Sequence, residues 1–170
     1  MNPSQKAILH AFDEHVFGSM RTELDWAIRG RAVNLAALGL VTYTEFLGGI
    51  STGDLGRQGC SGSNFRAFLR YLGPDYERLA QQAVDIYERV RCGLAHEYFI
   101  KGESTIWPQA SAPCGIISSA NGPMYFIVSV YRDHLFRGAR KLRDEILEDQ
   151  TGGAVARAKT SLSNVGIAIP

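Results

Sequence analysis

Residues 88–101 read E-R-V-R-C-G-L-A-H-E-Y-F-I-K and close a strongly helical run. Four residues, Cys92, Gly93, Leu94 and Ala95, separate Arg91 from His96. The guanidinium is permanently charged and fork-shaped, which suits it to phosphate. The imidazole gives or takes a proton near neutral pH. On an ideal helix a five-residue step turns about 140°, so the two side chains diverge unless the helix loosens at Gly93. Arg89 precedes His96 by nearly two full turns and shares its face. Three pairings follow: Arg91 on a loosened helix, Arg89, or an arginine from a second copy of the chain. Arg91 is the preferred one. The plainer role for an arginine and a histidine at a helix end is to complement the dipole and cap free carbonyls.

Working outward, residues 74–98 form the longest regular segment, with Pro74 in a first turn and Asp75 and Glu77 set against the dipole. Leu79, Ala83, Ile86, Tyr87, Val90 and Leu94 give it one apolar stripe. Downstream the texture changes. Thr105-Ile106-Trp107 suits a strand, and residues 115–119 and 124–128 flank Asn121-Gly122, a hairpin turn signal. A small β-hairpin lying over helices is expected, because a hairpin alone is marginal. Residues 130–148 form a final long helix. Its apolar face carries Leu135, Leu142 and Ile146, and Arg132, Arg137, Arg140, Lys141 and Arg143 read as a solvated face.

Upstream, residues 3–26 read as a first helix, opened by Asn2 or Ser4 with Pro3 in its first turn. Ile8, Phe12, Val16, Met20 and Leu24 recur on it at helical spacing. Residues 31–49 form a second helix, apolar on more than one side and so central, which Gly48-Gly49 should end. Glu45 is an acid near the end of this greasy helix. It is either exposed or a polar residue facing the site. Residues 51–63 are a glycine-rich loop without the lysine-plus-hydroxyl ending of a P-loop. Residues 64–72 form a short helix stopped by Gly73-Pro74. The organisation is a helical domain over 1–150 and a Gly/Ala/Ser-rich tail over 151–170, frayed or ending in a strand through Val165, Ile167 and Ile169.

Composition narrows the class. The 170 residues hold 18 Lys and Arg against 17 Asp and Glu, a net charge of +1, with 45% hydrophobic content. That suits one soluble globular domain and argues against coating nucleic acid by bulk charge. Cys60, Cys92 and Cys114 lie far apart with no metal-like spacing, so free thiols in a reducing cytosol are expected. No uncharged apolar run is long enough to suggest a membrane span, and the N-terminus lacks an apolar signal core. A cytoplasmic protein with no membrane partner is the expectation. His96-Glu97 has no second histidine one turn on, so a zinc-protease reading fails, and no metal set or cofactor is expected.

Arg91-Cys92-Gly93-Leu94-Ala95-His96, on the penultimate long helix of an all-α core, resembles the R-x(4–6)-H motif of the HEPN superfamily, the higher eukaryotes and prokaryotes nucleotide-binding domain. The matching helix order covers residues 4–150. The resemblance implies an all-α, HEPN-like helical bundle, here with a small β-hairpin inserted before the last long helix. It implies a homodimer in which two motifs face one another. For active members it implies metal-independent RNA cleavage, and for toxin-like members an antitoxin partner. Carried onto this chain, Arg91 would hold the scissile phosphate and His96 would be general acid or base. The family prefers a polar residue after the arginine, and Cys92 departs from it.

The residue chemistry agrees. RNA brings its own nucleophile, the ribose 2′-hydroxyl, whose proton a histidine can remove, while an arginine stabilises charge growing on the phosphate. The expected function is a metal-independent endoribonuclease, toxin-like or RNA-processing, with Arg91 and His96 catalytic and Arg89, Cys92 and Glu45 binding. The alternative is a catalytically inactive HEPN-like module that binds a nucleotide or a protein partner.

Overall fold

Asn2 and Gln5 start the chain's first helix by capping each other: Asn2 Oδ1 accepts from the Gln5 amide at 2.8 Å, and Gln5 Oε1 accepts from the Asn2 amide at 2.9 Å. This helix, α1 (Pro3–Ala11), runs on through a π-helical stretch, Phe12–Met20, into α2 (Arg21–Arg29). The computed structural model describes residues 1–81, 85–102, 104–118 and 123–170. The fold is mostly helical with one small sheet.

The central helix is α3 (Val33–Thr52), which buries Ala36, Ala37, Leu40, Val41, Leu47 and Ile50. It packs on α4 (Ser61–Leu72), α7 (Val128–Glu148) and α8 (Gly153–Asn164). By length and composition α3 resembles a membrane span, but half of that window is buried inside the protein, as a core helix requires. Gly48-Gly49 does not end α3, as the sequence suggested. A Cβ on Gly48 would sit 1.8 Å from the Asn64 carbonyl oxygen, so the glycine there lets α4 approach closely. The helix stops four residues later, at Gly53.

The long helix expected over 74–98 is not one regular element. α5 (Pro74–Ala80) ends at Gln81, and a π-helical turn, Tyr87–Cys92, leads into the short α6 (Gly93–Glu97). Tertiary partners hold the second part. Arg66 on α4 pairs with Asp85 at 2.6 Å, and the Phe65 and Tyr87 rings meet at 5.7 Å. Ala83 and the Asn121-Gly122 turn signal lie outside the described residues.

The sheet is larger than a hairpin. β2 (Ile116–Ser118) pairs antiparallel with β3 (Met124–Ile127), and β1 (Ser104–Trp107) adds to the other side of β3 in parallel, giving the order β1-β3-β2. Ile116, Met124 and Phe126 are buried, and Phe126 lies against the fully buried Tyr131 ring of α7 at 4.8 Å. The Tyr131 hydroxyl is satisfied by Thr44 of α3 at 2.9 Å.

The 151–170 segment corrects the expected tail. Ala154, Val155, Ala158 and Leu162 recur at helical spacing, and α8 buries them in the common core. Ser161 donates to the Gly49 carbonyl at 2.7 Å, and Arg157 Nε to the Ser51 carbonyl at 2.7 Å. Asp149 caps the helix. Its carboxylate accepts from the amides of Thr151, Gly152 and Val155 at 2.9–3.0 Å. Beyond α8, Val165, Ile167 and Ile169 form no strand. Ile169 is buried, and the Ser4 hydroxyl donates to the Pro170 carbonyl.

Candidate functional site

α3 and the Tyr87–Cys92 turn bring together two residues far apart in the chain. Arg91 Nε donates to Glu45 Oε2 at 2.8 Å. The pair is largely shielded, with side-chain exposures of 22% for Arg91 and 16% for Glu45. The guanidinium carbon also lies 5.7 Å from the centre of the Tyr87 ring. An arginine has five N–H donors, and this tether uses the inner one. Among the described residues, no hydrogen bond engages its terminal amino groups. Burial pushes the Tyr87 hydroxyl pKa up, while the Arg91 charge pulls it down.

Past Arg91 the chain hooks. Tyr98 takes a left-handed conformation, φ 65°, and reverses the chain, so that the Lys101 amide donates back to the Arg89 carbonyl at 3.0 Å. Gly93 makes the hook possible. A Cβ there would stand 2.5 Å from the Phe99 carbonyl oxygen. Lys101 then reaches Glu88 at 2.7 Å and Glu97 at 3.2 Å, and Ile100 is buried. The glycine that looked like a point of weakness is therefore a point of close contact.

His96 stands on the outside of this hook. It is exposed and, among the described residues, has neither a hydrogen-bond nor an ion-pair partner. No hydrogen bond joins it to Arg91 or Arg89 within the chain. Arg89 is partly buried, its guanidinium carbon against Gly102. Cys92 is also partly buried. Burial, and then the Glu88 carboxylate one turn back, push its thiol pKa up, so it stays a protonated thiol at neutral pH. The three cysteines are free thiols.

Two exposed aromatics, missed as site residues in the sequence, follow His96. Tyr98 is 59% exposed and Phe99 66%, with their rings edge to face at 5.4 Å. The Tyr98 carbonyl accepts from Asn34 Nδ2 at 3.3 Å, next to Leu35, itself 60% exposed. Their signal in the sequence was an aromatic pair directly after the motif. No family model, curated protein or solved structure matches this chain.

Proposed function

We propose that this protein is a HEPN-like, metal-independent endoribonuclease that works as a homodimer. The observation that carries the reading is the tether on Arg91. Glu45 holds its inner nitrogen and leaves the terminal fork free, the part that binds a phosphate in bidentate fashion. His96, on the same segment, is free to exchange a proton with a bound ribose. The chemistry balances on one imidazole: His96 takes the 2′-hydroxyl proton, the 2′-oxygen attacks phosphorus as the bond to the 5′-oxygen breaks, and the imidazolium so formed gives the proton to the departing 5′-oxygen. Arg91 stabilises the charge that builds on the phosphate. No hydrogen bond joins His96 to Arg91 among the described residues, and a second copy would bring a second Arg91 and His96 to the same cleft. The exposed Tyr98 and Phe99, which follow His96, and the exposed Leu35, next to the Asn34 that bonds the Tyr98 carbonyl, offer apolar surface for such a copy. A toxin-like member would also have an antitoxin partner.

The test is cleavage of single-stranded RNA in EDTA. One fragment should end in a cyclic phosphate and the other in a free 5′-hydroxyl, while DNA of the same sequence survives. His96→Ala should slow cutting by roughly 10²–10⁴-fold, the range for losing general acid–base help. Arg91→Lys should also be poor, because a point charge does not replace the fork. Intact RNA under these conditions sinks the nuclease reading.

The second reading is an inactive module of the same architecture that binds a nucleotide or a protein partner. It is favoured by the protonated Cys92 where the family prefers a polar residue, and by the absence, among the described residues, of a hydrogen bond between Arg91 and His96. RNA that is bound but left whole selects it.

A further inference from the structure

The basic face of α7 is not uniformly solvated. Arg132 is held by two acids: Nε and Nη2 reach Asp25 Oδ1 at 3.0 and 2.6 Å, and Nη1 reaches Asp133 at 2.8 Å. Arg143 forks onto Asp13, both bonds at 3.2 Å. Arg137 and Arg140 are exposed and, among the described residues, have no hydrogen-bond or ion-pair partner. Arg21, from the start of α2, joins them at one concavity of about 420 Å³, also lined by Arg132, Asp133 and Phe136. Phe136 is buried, and the guanidinium carbons of Arg21 and Arg132 lie 5.9 and 5.5 Å from its ring centre. Among the described residues the only acid in that lining is Asp133; Arg132 bonds both it and Asp25, so that one guanidinium faces two carboxylates, and Arg21, Arg137 and Arg140 leave the hollow net positive.

Elsewhere four surface arginines find acids, Arg57 with Asp54, Arg66 with Asp85, Arg78 with Asp75 and Arg157 with Glu145, while Arg29 bonds a backbone carbonyl and Arg70 a tyrosine hydroxyl. In a chain of net charge +1, three guanidiniums that form no ion pair among the described residues meet at one hollow and repel one another until an anion arrives. A second hollow of about 240 Å³ adjoins it through Arg137 and adds His134, Lys141 and one acid, Asp75, which pairs with Arg78. His134 Nδ1 is held by the Tyr76 hydroxyl at 2.8 Å. Two adjoining hollows with Arg137 between them suit a ligand with more than one phosphate.

We propose that the hollow between α2 and α7 is a phosphate-binding site, in which Arg21, Arg137 and Arg140 grip phosphate groups over a floor of Phe136 and the Asp25-tethered Arg132. It shares no residue with the Arg91 and His96 segment, and it does not depend on the ribonuclease reading. The same phosphate chemistry is offered by a free polyphosphate and by a single-stranded RNA backbone.

The test is direct binding to the full-length chain, with His96→Ala as background so that RNA stays whole. The probes are inorganic pyrophosphate, by calorimetry, and a short fluorescein-labelled single-stranded RNA, by anisotropy. Arg137→Gln with Arg140→Gln should weaken binding about tenfold or more, and Arg57→Gln, an exposed arginine outside the hollow, should leave it unchanged. If the backbone is the ligand, RNA binds more tightly than pyrophosphate. The dependence of log K on log salt then becomes shallower by roughly 0.7 per guanidinium removed. If only pyrophosphate binds, and the double variant abolishes it, the ligand is a free polyphosphate and the site stands. The site is overturned if neither probe binds. It is also overturned if the double variant binds both as well as Arg57→Gln does. Circular dichroism of the double variant guards against misfolding, and Arg21→Gln must give the same direction of change.

Discussion

Arg91 Nε and Glu45 Oε2 lie 2.8 Å apart although they stand 46 positions apart in the chain. This ion pair fixes the Tyr87–Cys92 turn to the central helix and sets the direction of the arginine fork. Removing either partner strands the other in a largely shielded place. Glu45→Gln is expected to destabilise the fold by about 1–3 kcal/mol, the usual cost of orphaning such a group. Urea unfolding measures it. A double-mutant cycle with Arg91→Gln should show that the two losses do not add. If RNA is cut, Glu45→Gln should also slow cutting without abolishing it.

Gly93 leaves no room for a side chain. Its Cβ would strike the Phe99 carbonyl, which is backbone and cannot swing away. Gly93→Ala is expected to cost about 1–3 kcal/mol, as overpacking does. It should also open the hook, and hydrogen exchange at the Lys101 amide, which bonds to the Arg89 carbonyl, is the sensitive readout. Unchanged protection there would mean that the hook does not depend on the glycine.

The pH dependence follows from Asp149. The Val155 amide, then Thr151 and its neighbours, pull its carboxyl pKa down to about 2. A carboxyl depressed in the folded state adds stability that is fully present above its unfolded pKa of about 3.9. That contribution is lost as pH falls through the folded value. Asp149→Asn should therefore be less stable than the native chain at neutral pH, and the gap should close as pH falls from about 4 toward 2. A constant gap would show that the cap acts through hydrogen bonding alone. Guanidinium melts across this window measure it.

Assembly is tested at the aromatic pair beside His96. Light scattering behind size exclusion should give about twice 18.7 kDa for the native chain. Tyr98→Ser with Phe99→Ser should give a folded monomer, because both side chains are exposed in the single chain and their loss leaves the core intact. A native monomer at high micromolar concentration would remove the composite site.

What residues 1–170 determined by themselves were the local elements, because their signals lie within a few positions of one another. Pro3, with Asn2 or Ser4 as cap, marked a helix start, Gly73-Pro74 separated two helices, and Leu135, Leu142 and Ile146 laid out α7; the structure takes Asn2 as the cap. The strand pair was legible over 115–119 and 124–128 from the Asn121-Gly122 turn signal between them, and pairs over 116–118 and 124–126. Tertiary structure decided what depends on how those elements cross. Gly48 looked like a stop until the closeness of Asn64 made it a packing surface. The 74–98 run divided because Arg66, Phe65 and Glu45 hold its second half in a π-helical turn. The 151–170 segment became a helix because α3 and α1 offered its small residues a face to cover. Arg137 and Arg140 were two charges in a run until Arg21, more than a hundred positions earlier, met them at one hollow. Helical spacing reports which side chains share a face; only the crossing of helices reports which faces, and which charges, end up opposite one another.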